Sequence, residues 1–342
     1  MTKVAVVQHP PVTLHRERTL QRGVDLIEQA AGKGARLISF PEAWLPGYPE
    51  WLWRLRPGDD YALTGEIHRL LIENSVDLKR GDLQPIQKAA RKHRTAVSIG
   101  VHERDADFSR STLYNTLVLI GPDGDILNRH RKLMPTNPER MVWGQGDATG
   151  LRVVDTPLGR VGGLICWENY MPLSRFALRA QGCEIYIAPT WDEGETWVAS
   201  MRHIAAEGRC WVLGNGCAMR GRDIPADFPK RAELFPDLQS WYNAGDSVIC
   251  DPRGNIVAGP LHEAHGILYA DCDPVAAATA KRTLDVAGHY GRPDIFQLHV
   301  NREPRTPVDF GPAGDGAVNG ARPAARRARR TSSARKRSTA RR

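Results

Sequence analysis

A chain of 342 residues with 41% hydrophobic and 25% charged residues has the composition of an ordinary globular protein, which excludes disorder for most of its length. No stretch approaches the roughly 18 apolar residues of a membrane helix, and the apolar run Val4–Val7 stops at Gln8, His9 and Pro10, short of a secretory segment. The net charge of +8 belongs to one end: residues 322–342 hold ten Arg or Lys and no acid, which leaves −2 for residues 1–321 and no support for a specific nucleic-acid surface.

Taken in chain order, residues 3–8 read as a short buried strand. Leu20, Val24, Leu26, Ile27, Ala30 and Ala31 recur at helical spacing over 17–33, and Gly32 and Gly34 end that helix. Residues 35–40 form a strand stopped by Pro41. A helix over 84–94 and a strand over 96–101 follow. Two β-rich runs from Asn115 to Asn128 flank Gly121-Pro122-Asp123-Gly124, a hairpin turn. The second half repeats the outline. Strand 161–165 leads into Cys166, helix 172–181 follows, then strand 184–188, helix 196–207 and strand 211–214. A hairpin spans 246–258 around Asp251-Pro252-Arg253-Gly254-Asn255, and a last strand covers 267–270. Helices alternating with strands and hairpins predict an α/β layered domain with mixed sheets, the two halves related by pseudo-symmetry. Pro304, Pro307, Gly311, Pro312, Gly314, Gly316 and Gly320 crowd the segment after residue 302. The expected organisation is one domain over 1–302, a Pro/Gly-rich extension over 303–321 and a disordered Arg-rich tail over 322–342.

The six cysteines stand at 166, 183, 210, 217, 250 and 272, with neither CxxC nor zinc-ligand spacing. Without a signal segment they read as reduced thiols of a cytoplasmic protein, mostly small buried hydrophobes. Cys166 departs from that pattern. It follows an apolar strand and precedes Trp-Glu-Asn, so its side chain stands at a strand end where N–H groups of the next turn converge. That is nucleophile-elbow geometry with an oxyanion hole at hand. A thiol needs a base or a cation beside it. Glu42, at the end of strand 35–40 in Phe-Pro-Glu-Ala-Trp, is flanked by apolar bulk that raises a carboxyl pKa toward that of a general base; alone it reads equally as a helix-start glutamate. Lys132 lies in a basic triplet, ordinarily a solvated face, but Met134, Pro135 and Trp143 surround it with apolar residues, where an ammonium would stabilise developing negative charge.

In combination, Glu42, Lys132 and Cys166 resemble the Glu–Lys–Cys triad of the nitrilase superfamily of carbon–nitrogen hydrolases. FPEAWLPGYP (40–49), HRKLMPTNPERMVWGQGD (130–147), ICWENYMPLSR (165–175) and VAGHYGRPD (286–294) are similar to the nitrilase branch, of the plant and related bacterial kind. IYIAPTWDE (185–193) and MRHIAAEGRCWVLGNG (201–216) extend the resemblance over residues 3 to about 300. It implies a four-layer αββα sandwich, with Glu42 as general base, Lys132 as electrostatic stabiliser and Cys166 as nucleophile. It further implies that Glu139 positions substrate and helps hold Lys132, and that Tyr48, Trp167 and Trp191 line the substrate pocket; these aromatics read alternatively as core. Two local departures, Pro138 directly before Glu139 and Ala148 where a glycine is expected, bear on the pocket entrance rather than the triad.

The implied activity is hydrolysis of an organic nitrile, aryl-aliphatic or aliphatic, to the carboxylic acid and ammonia through a covalent thioimidate and thioester. No metal and no organic cofactor is called for. The alternatives are an amidase or carbamoylase of the same superfamily, against which Cys-Trp-Glu-Asn and Gly-His-Tyr-Gly-Arg-Pro-Asp speak, and a cyanide-hydrolysing enzyme. The implied partners are a small-molecule nitrile and further copies of the chain, a homo-oligomeric dimer stacking into a larger spiral, with residues 289–294 and the stretch to about 310 at subunit contacts. No membrane partner and no specific nucleic acid is expected.

Overall fold

The computed structural model describes residues 1–56, 58–308 and 311. The tail expected at 322–342, and most of the 303–321 extension, lie outside the described residues. Met1–Arg305 pack as one compact unit, distinct from Thr306–Arg342.

The first sheet is built from β1 (Thr2–Gln8), β2 (Leu37–Ser39), β3 (Ala96–Arg104), β4 (Leu113–Ile120) and β5 (Ile126–Arg131), and the second from β6 (Val154–Thr156), β7 (Gly159–Gly163), β8 (Ile185–Pro189) and β9 (Trp211–Asn215). A small hairpin, β10 (Met219–Arg220) and β11 (Trp241–Asn243), comes next. Then β12 (Gly245–Cys250) and β13 (Ile256–His262) join the second sheet, and β14 (Gly266–Cys272) returns to the first. The orders are β14-β1-β2-β3-β4-β5 and β13-β12-β9-β8-β7-β6. In each sheet two parallel pairings, β1/β2/β3 and β7/β8/β9, are flanked by antiparallel strands on both sides. The outline repeat read from the sequence is therefore a repeat of strand pairing.

Alternation along the strands makes the layers. In β1, Val4 and Val6 pack with Ile185, Ile187 and Leu213 of the other sheet, while Ala5 and Val7 turn outward. There they meet Leu20, Leu26 and Ile27 of α1 (Arg16–Gly32) and Ile86, Ala89 and Ala90 of α3 (Gln84–His93). In β8, Tyr186 and Ala188 turn outward onto Ala177 and Leu178 of α4 (Pro172–Arg179) and Trp197, Met201 and Ile204 of α5 (Glu195–Gly208). Period-two burial in the strands and period-3.6 stripes on the helices thus give helix, sheet, sheet, helix.

The expected elements recur with ends shifted by a few residues. Elements without an expectation are short or weakly patterned: α2 (Tyr61–Asn74), which buries only Ile67 and Leu71, α6 (Arg231–Leu234), α7 (Pro274–Ala280), β6 and the β10/β11 hairpin. No helix follows Glu42, so its reading as a helix-start residue fails; Ala43 instead turns the chain at φ 46°. Among the described residues no helix is long and apolar enough to cross a membrane.

Candidate active site

Four strand ends deliver the site. β2 leads to Glu42, β5 to Lys132, β7 to Cys166 and β8 to Thr190, all at carboxyl ends, where open α/β sheets place their ligands.

At Cys166 the backbone takes φ 51°, a left-handed conformation that costs a side-chain-bearing residue about 1–3 kcal/mol. The expected elbow is thus present as a strained turn. Cys166 opens a 3-10 turn, Cys166–Tyr170, so the Trp167 N–H lies in the leading turn and has no carbonyl to meet within it. Side chains hold the turn from behind. Asn169 Nδ2 donates to Cys166 O at 2.7 Å and Leu164 O at 3.1 Å, and the Tyr186 hydroxyl donates to Asn169 Oδ1 at 2.7 Å. Gly163 lets β7 approach β8, since a Cβ there would lie 2.4 Å from Ile187 O.

Glu42 sits in a loop pressed against β3. A Cβ on Gly100 would fall 2.3 Å from Pro41 O and 2.5 Å from Ala43 N, so the missing side chain at 100 is what admits this loop. Glu42 Oε1 accepts from Lys132 Nζ and from Asn115 Nδ2, both at 2.7 Å, and Oε2 accepts from the Trp191 N–H at 2.7 Å. Lys132 is fixed by its own backbone: its N–H donates to Asn115 O and its carbonyl accepts from Gly146 N, both at 2.8 Å. Its ammonium also donates to Glu139 Oε2 at 2.8 Å. Glu139 accepts from the Tyr48 hydroxyl at 2.7 Å on Oε1 and from the Thr136 N–H at 2.7 Å on Oε2. Two of the three ammonium protons are taken among the described residues, which leaves one for a ligand.

The electrostatics follow from burial. Glu42, Lys132 and Glu139 are each 1% exposed and Cys166 4%. Burial pushes the Glu42 carboxyl up, Lys132 restrains it, and the Glu139 charge adds to the rise. Burial alone would strip a proton from Lys132, but Glu42, the Cys166 sulfur and Glu139 outweigh it and keep the ammonium charged. The Cys166 thiol is pushed well up by burial and by Glu42, with Lys132 and Thr190 acting against. These influences favour the thiol form of Cys166, and a buried thiol of this kind would need a base beside it to react.

The aromatic residues separate. Tyr48 stacks on Trp191 with ring centroids 4.5 Å apart and 4° between planes, and the Trp191 indole donates to Glu50 Oε2 at 3.0 Å. Trp167 lies apart from this pair: it is 48% exposed and its indole donates to Asp192 Oδ2 at 2.9 Å. Sequence reasoning missed Asn115, Thr190, Glu50, Asn169 and the buried pair Glu168–His130. Glu168 and Asn169 carried a signal, two polar residues directly after an elbow cysteine on an apolar strand. Among the described residues no group of three or more His, Cys, Asp or Glu is placed to hold a metal ion.

The site thus brings together a buried cysteine on a strained strand-end turn and a lysine clamped between two carboxylates, carried on paired sheets. The chain belongs to the carbon–nitrogen hydrolase family, whose profile matches residues 3–282. It is 39% identical over 322 residues to nitrilase 3 of Arabidopsis thaliana, covering 90% of this chain and 89% of that one. It is 40% identical over 314 residues to an aliphatic nitrilase of Sinorhizobium fredii, covering 90% and 99%. A bifunctional nitrilase/nitrile hydratase of Lupinus angustifolius is 40% identical over 314 residues, covering 90% and 88%. Among solved structures, the C. elegans NitFhit protein superposes with a TM-score of 0.67 at 23% identity, over 88% of this chain and 67% of that one. A carbon–nitrogen hydrolase of Helicobacter pylori gives 0.62 at 19%, over 83% and 93%. These two bear on the fold alone.

Proposed function

We propose that the chain is a nitrilase that converts an organic nitrile, aryl-aliphatic or aliphatic, to the carboxylic acid and ammonia. The observation that carries this reading is Lys132 held between Glu42 and Glu139 beside Cys166. The names of the plant and bacterial relatives support the nitrile branch over amidase or carbamoylase.

In this reading Glu42 takes the proton of Cys166 as the sulfur attacks the nitrile carbon. The S–C bond forms, one C–N π pair moves to nitrogen, and nitrogen takes the proton, giving a thioimidate. Water, deprotonated by Glu42, adds to the carbon. The uncommitted Lys132 N–H and the Trp167 N–H stabilise the tetrahedral state. The C–N bond breaks, nitrogen leaves as ammonia after a further proton transfer, and a thioester remains. A second water adds, the C–S bond breaks, and acid and thiol are released. If the first tetrahedral species breaks C–S instead, the product is the amide. Glu139 keeps Lys132 in place, and the Tyr48–Trp191 pair forms an apolar wall suited to a hydrophobic substituent.

Assembly into dimers and larger spirals is part of the proposal. It is supported by the exposed apolar residues Leu173, Tyr290, Ile295 and Phe296, at 65%, 63%, 55% and 76%. Cytoplasmic residence, supported by six free thiols, belongs to it as well, as does a catalytic domain over 1–302.

The test is ammonia release from phenylacetonitrile, mandelonitrile, hydrocinnamonitrile, benzonitrile, a dinitrile, β-cyanoalanine and cyanide, with the matching amides alongside. Turnover of nitriles is expected. Turnover of amides alone would overturn the nitrilase reading and keep the thiol chemistry.

A further inference from the structure

Lys132 leaves the first sheet and Cys166 leaves the second. Among the described residues no backbone hydrogen bond joins segment 130–147 to segment 161–170. One side chain does. Glu168 Oε1 accepts the Leu133 N–H at 2.7 Å, and Oε2 accepts the Ile165 N–H at 2.7 Å. Leu133 follows Lys132, and Ile165 precedes Cys166. His130 Nε2 donates between the two oxygens at 3.1 and 3.0 Å. Glu168 and His130 are both 1% exposed, and His130 Nδ1 has no partner among the described residues, so Nε2 is the nitrogen that carries the proton.

We infer that Glu168 is a positioning residue that sets the distance between Lys132 and Cys166 across the two sheets, with His130 fixing its orientation. Three donors converge on one carboxylate, two of them backbone groups next to reacting residues. Only an ionised carboxylate meets all three. A glutamine at 168 would turn an amide NH2 toward one of the N–H groups, and an aspartate is one methylene too short to span both segments. Burial opposes ionisation of Glu168, but His130 and the two backbone N–H groups outweigh it and hold the carboxyl below the usual carboxylate range. Leu117, Ile165 and Cys166 also meet here in an apolar cluster, a contact that is not directional. Misplacement of reacting groups by about 1 Å costs on the order of a hundredfold in rate, so a tie of this kind acts on the chemical step.

The inference rests on the roles proposed above for Lys132 and Cys166. Its test compares Glu168→Gln, His130→Leu and His130→Gln in the full chain. Readouts are kcat and KM on the best nitrile, thermal melting, and the pH profile of Cys166 alkylation by iodoacetamide, followed by peptide mass. Expected are folded E168Q and H130L proteins with kcat about a hundredfold lower, KM within about threefold, and an alkylation profile displaced to higher pH as Lys132 loosens from the sulfur. H130Q, which keeps an N–H at the same reach, should recover to within about tenfold of the native rate. Folded E168Q and H130L with native kcat would overturn the inference, as would H130Q no better than H130L. Failure of both E168Q and H130L to fold would also overturn it, because the tie would then hold the fold rather than the spacing. A native chain that turns over no nitrile and no amide would sink the nitrilase reading alone, since the alkylation comparison still reports on the tie.

Discussion

Lys132 Nζ stands 2.7 Å from Glu42 Oε1, and neither side chain has exposed surface. Ninety residues separate them in the chain. A charge pair taken so fully out of water is stabilised only while both partners and their further hydrogen bonds remain. Replacing Lys132 by Ala would leave Glu42 and Glu139 buried and facing the same void. The expected cost is about 3–5 kcal/mol at pH 7. Burial already pushes the Glu42 carboxyl up, so it can neutralise in acid, and the deficit relative to the native chain should shrink at pH 5. Urea denaturation at the two pH values measures it; an unchanged deficit would count against a titrating Glu42.

Cys166→Ala leaves the Lys132 pairs with Glu42 and Glu139 and the Asn169 bonds behind the turn in place. Its melting temperature should stay close to native, while the nucleophile role proposed for Cys166 requires turnover to fall by at least about 10⁴-fold. Mass spectrometry of the native enzyme under turnover should find substrate-derived mass on the peptide holding Cys166.

Gly100 admits the Glu42 loop. Gly100→Ala would drive its methyl into Pro41 O and Ala43 N, both backbone atoms unable to swing aside. A loss of about 1–3 kcal/mol is expected. A drop in kcat larger than that stability loss explains should accompany it if Glu42, carried on the displaced segment, is the base proposed above. Steady-state kinetics below the melting transition separate the two effects.

Glu50 provides the pH dependence. Burial raises its pKa to about 7 from the ordinary 4.5, with Arg54 and the Trp191 indole acting against and Glu193 adding to the rise. Between those values the folded chain holds a proton that the unfolded chain has released. Stability from this residue is therefore complete below pH 4.5 and lost as pH rises through about 7. The full span corresponds to about 3 kcal/mol. Glu50→Gln should remove that slope. Denaturant midpoints at pH 5 and pH 8 would read it, and an identical slope in the variant would assign the titration elsewhere.

The carboxyl-terminal strap should matter where it touches. The Arg305 N–H donates to Asp147 Oδ2 at 3.0 Å, its guanidinium to Gln145 Oε1 at 2.9 Å, and Arg302 to Leu151 O at 3.2 Å. Gln145 and Asp147 flank Gly146, whose N–H holds the Lys132 carbonyl. A chain ended at residue 321 should keep native turnover, whereas one ended at residue 300 should lose several-fold in kcat. Activity assays on the two truncations decide the matter.

The strands and helices were legible because their signals are local. Val4 to Val7 alternate faces, Leu20 to Ala31 recur along one helix face, and Gly-Pro-Asp-Gly turns a chain whatever lies beyond it. The same locality made Cys166 readable as an elbow, since a strand end and the turn after it are neighbours in sequence. α2 was not legible: it buries two residues, and its packing partners come from distant loops. Glu42 and Lys132 stood out only in combination, because a carboxylate after a strand and a lysine in a basic triplet are each common on solvated surfaces.

What the sequence by itself determined was the layered α/β order, the repeat of its halves and the residue types able to carry thiol chemistry. The tertiary structure alone decided their pairing: Glu42 against Asn115, Lys132 and Trp191, which lie 73, 90 and 149 residues away. It likewise decided that Glu168 joins the two seams and that Trp167 turns to the surface. Backbone preference and side-chain periodicity act over a few residues, so they survive in a linear reading. A hydrogen bond between side chains on different sheets depends on how those sheets stack, and that is fixed only when the whole core closes.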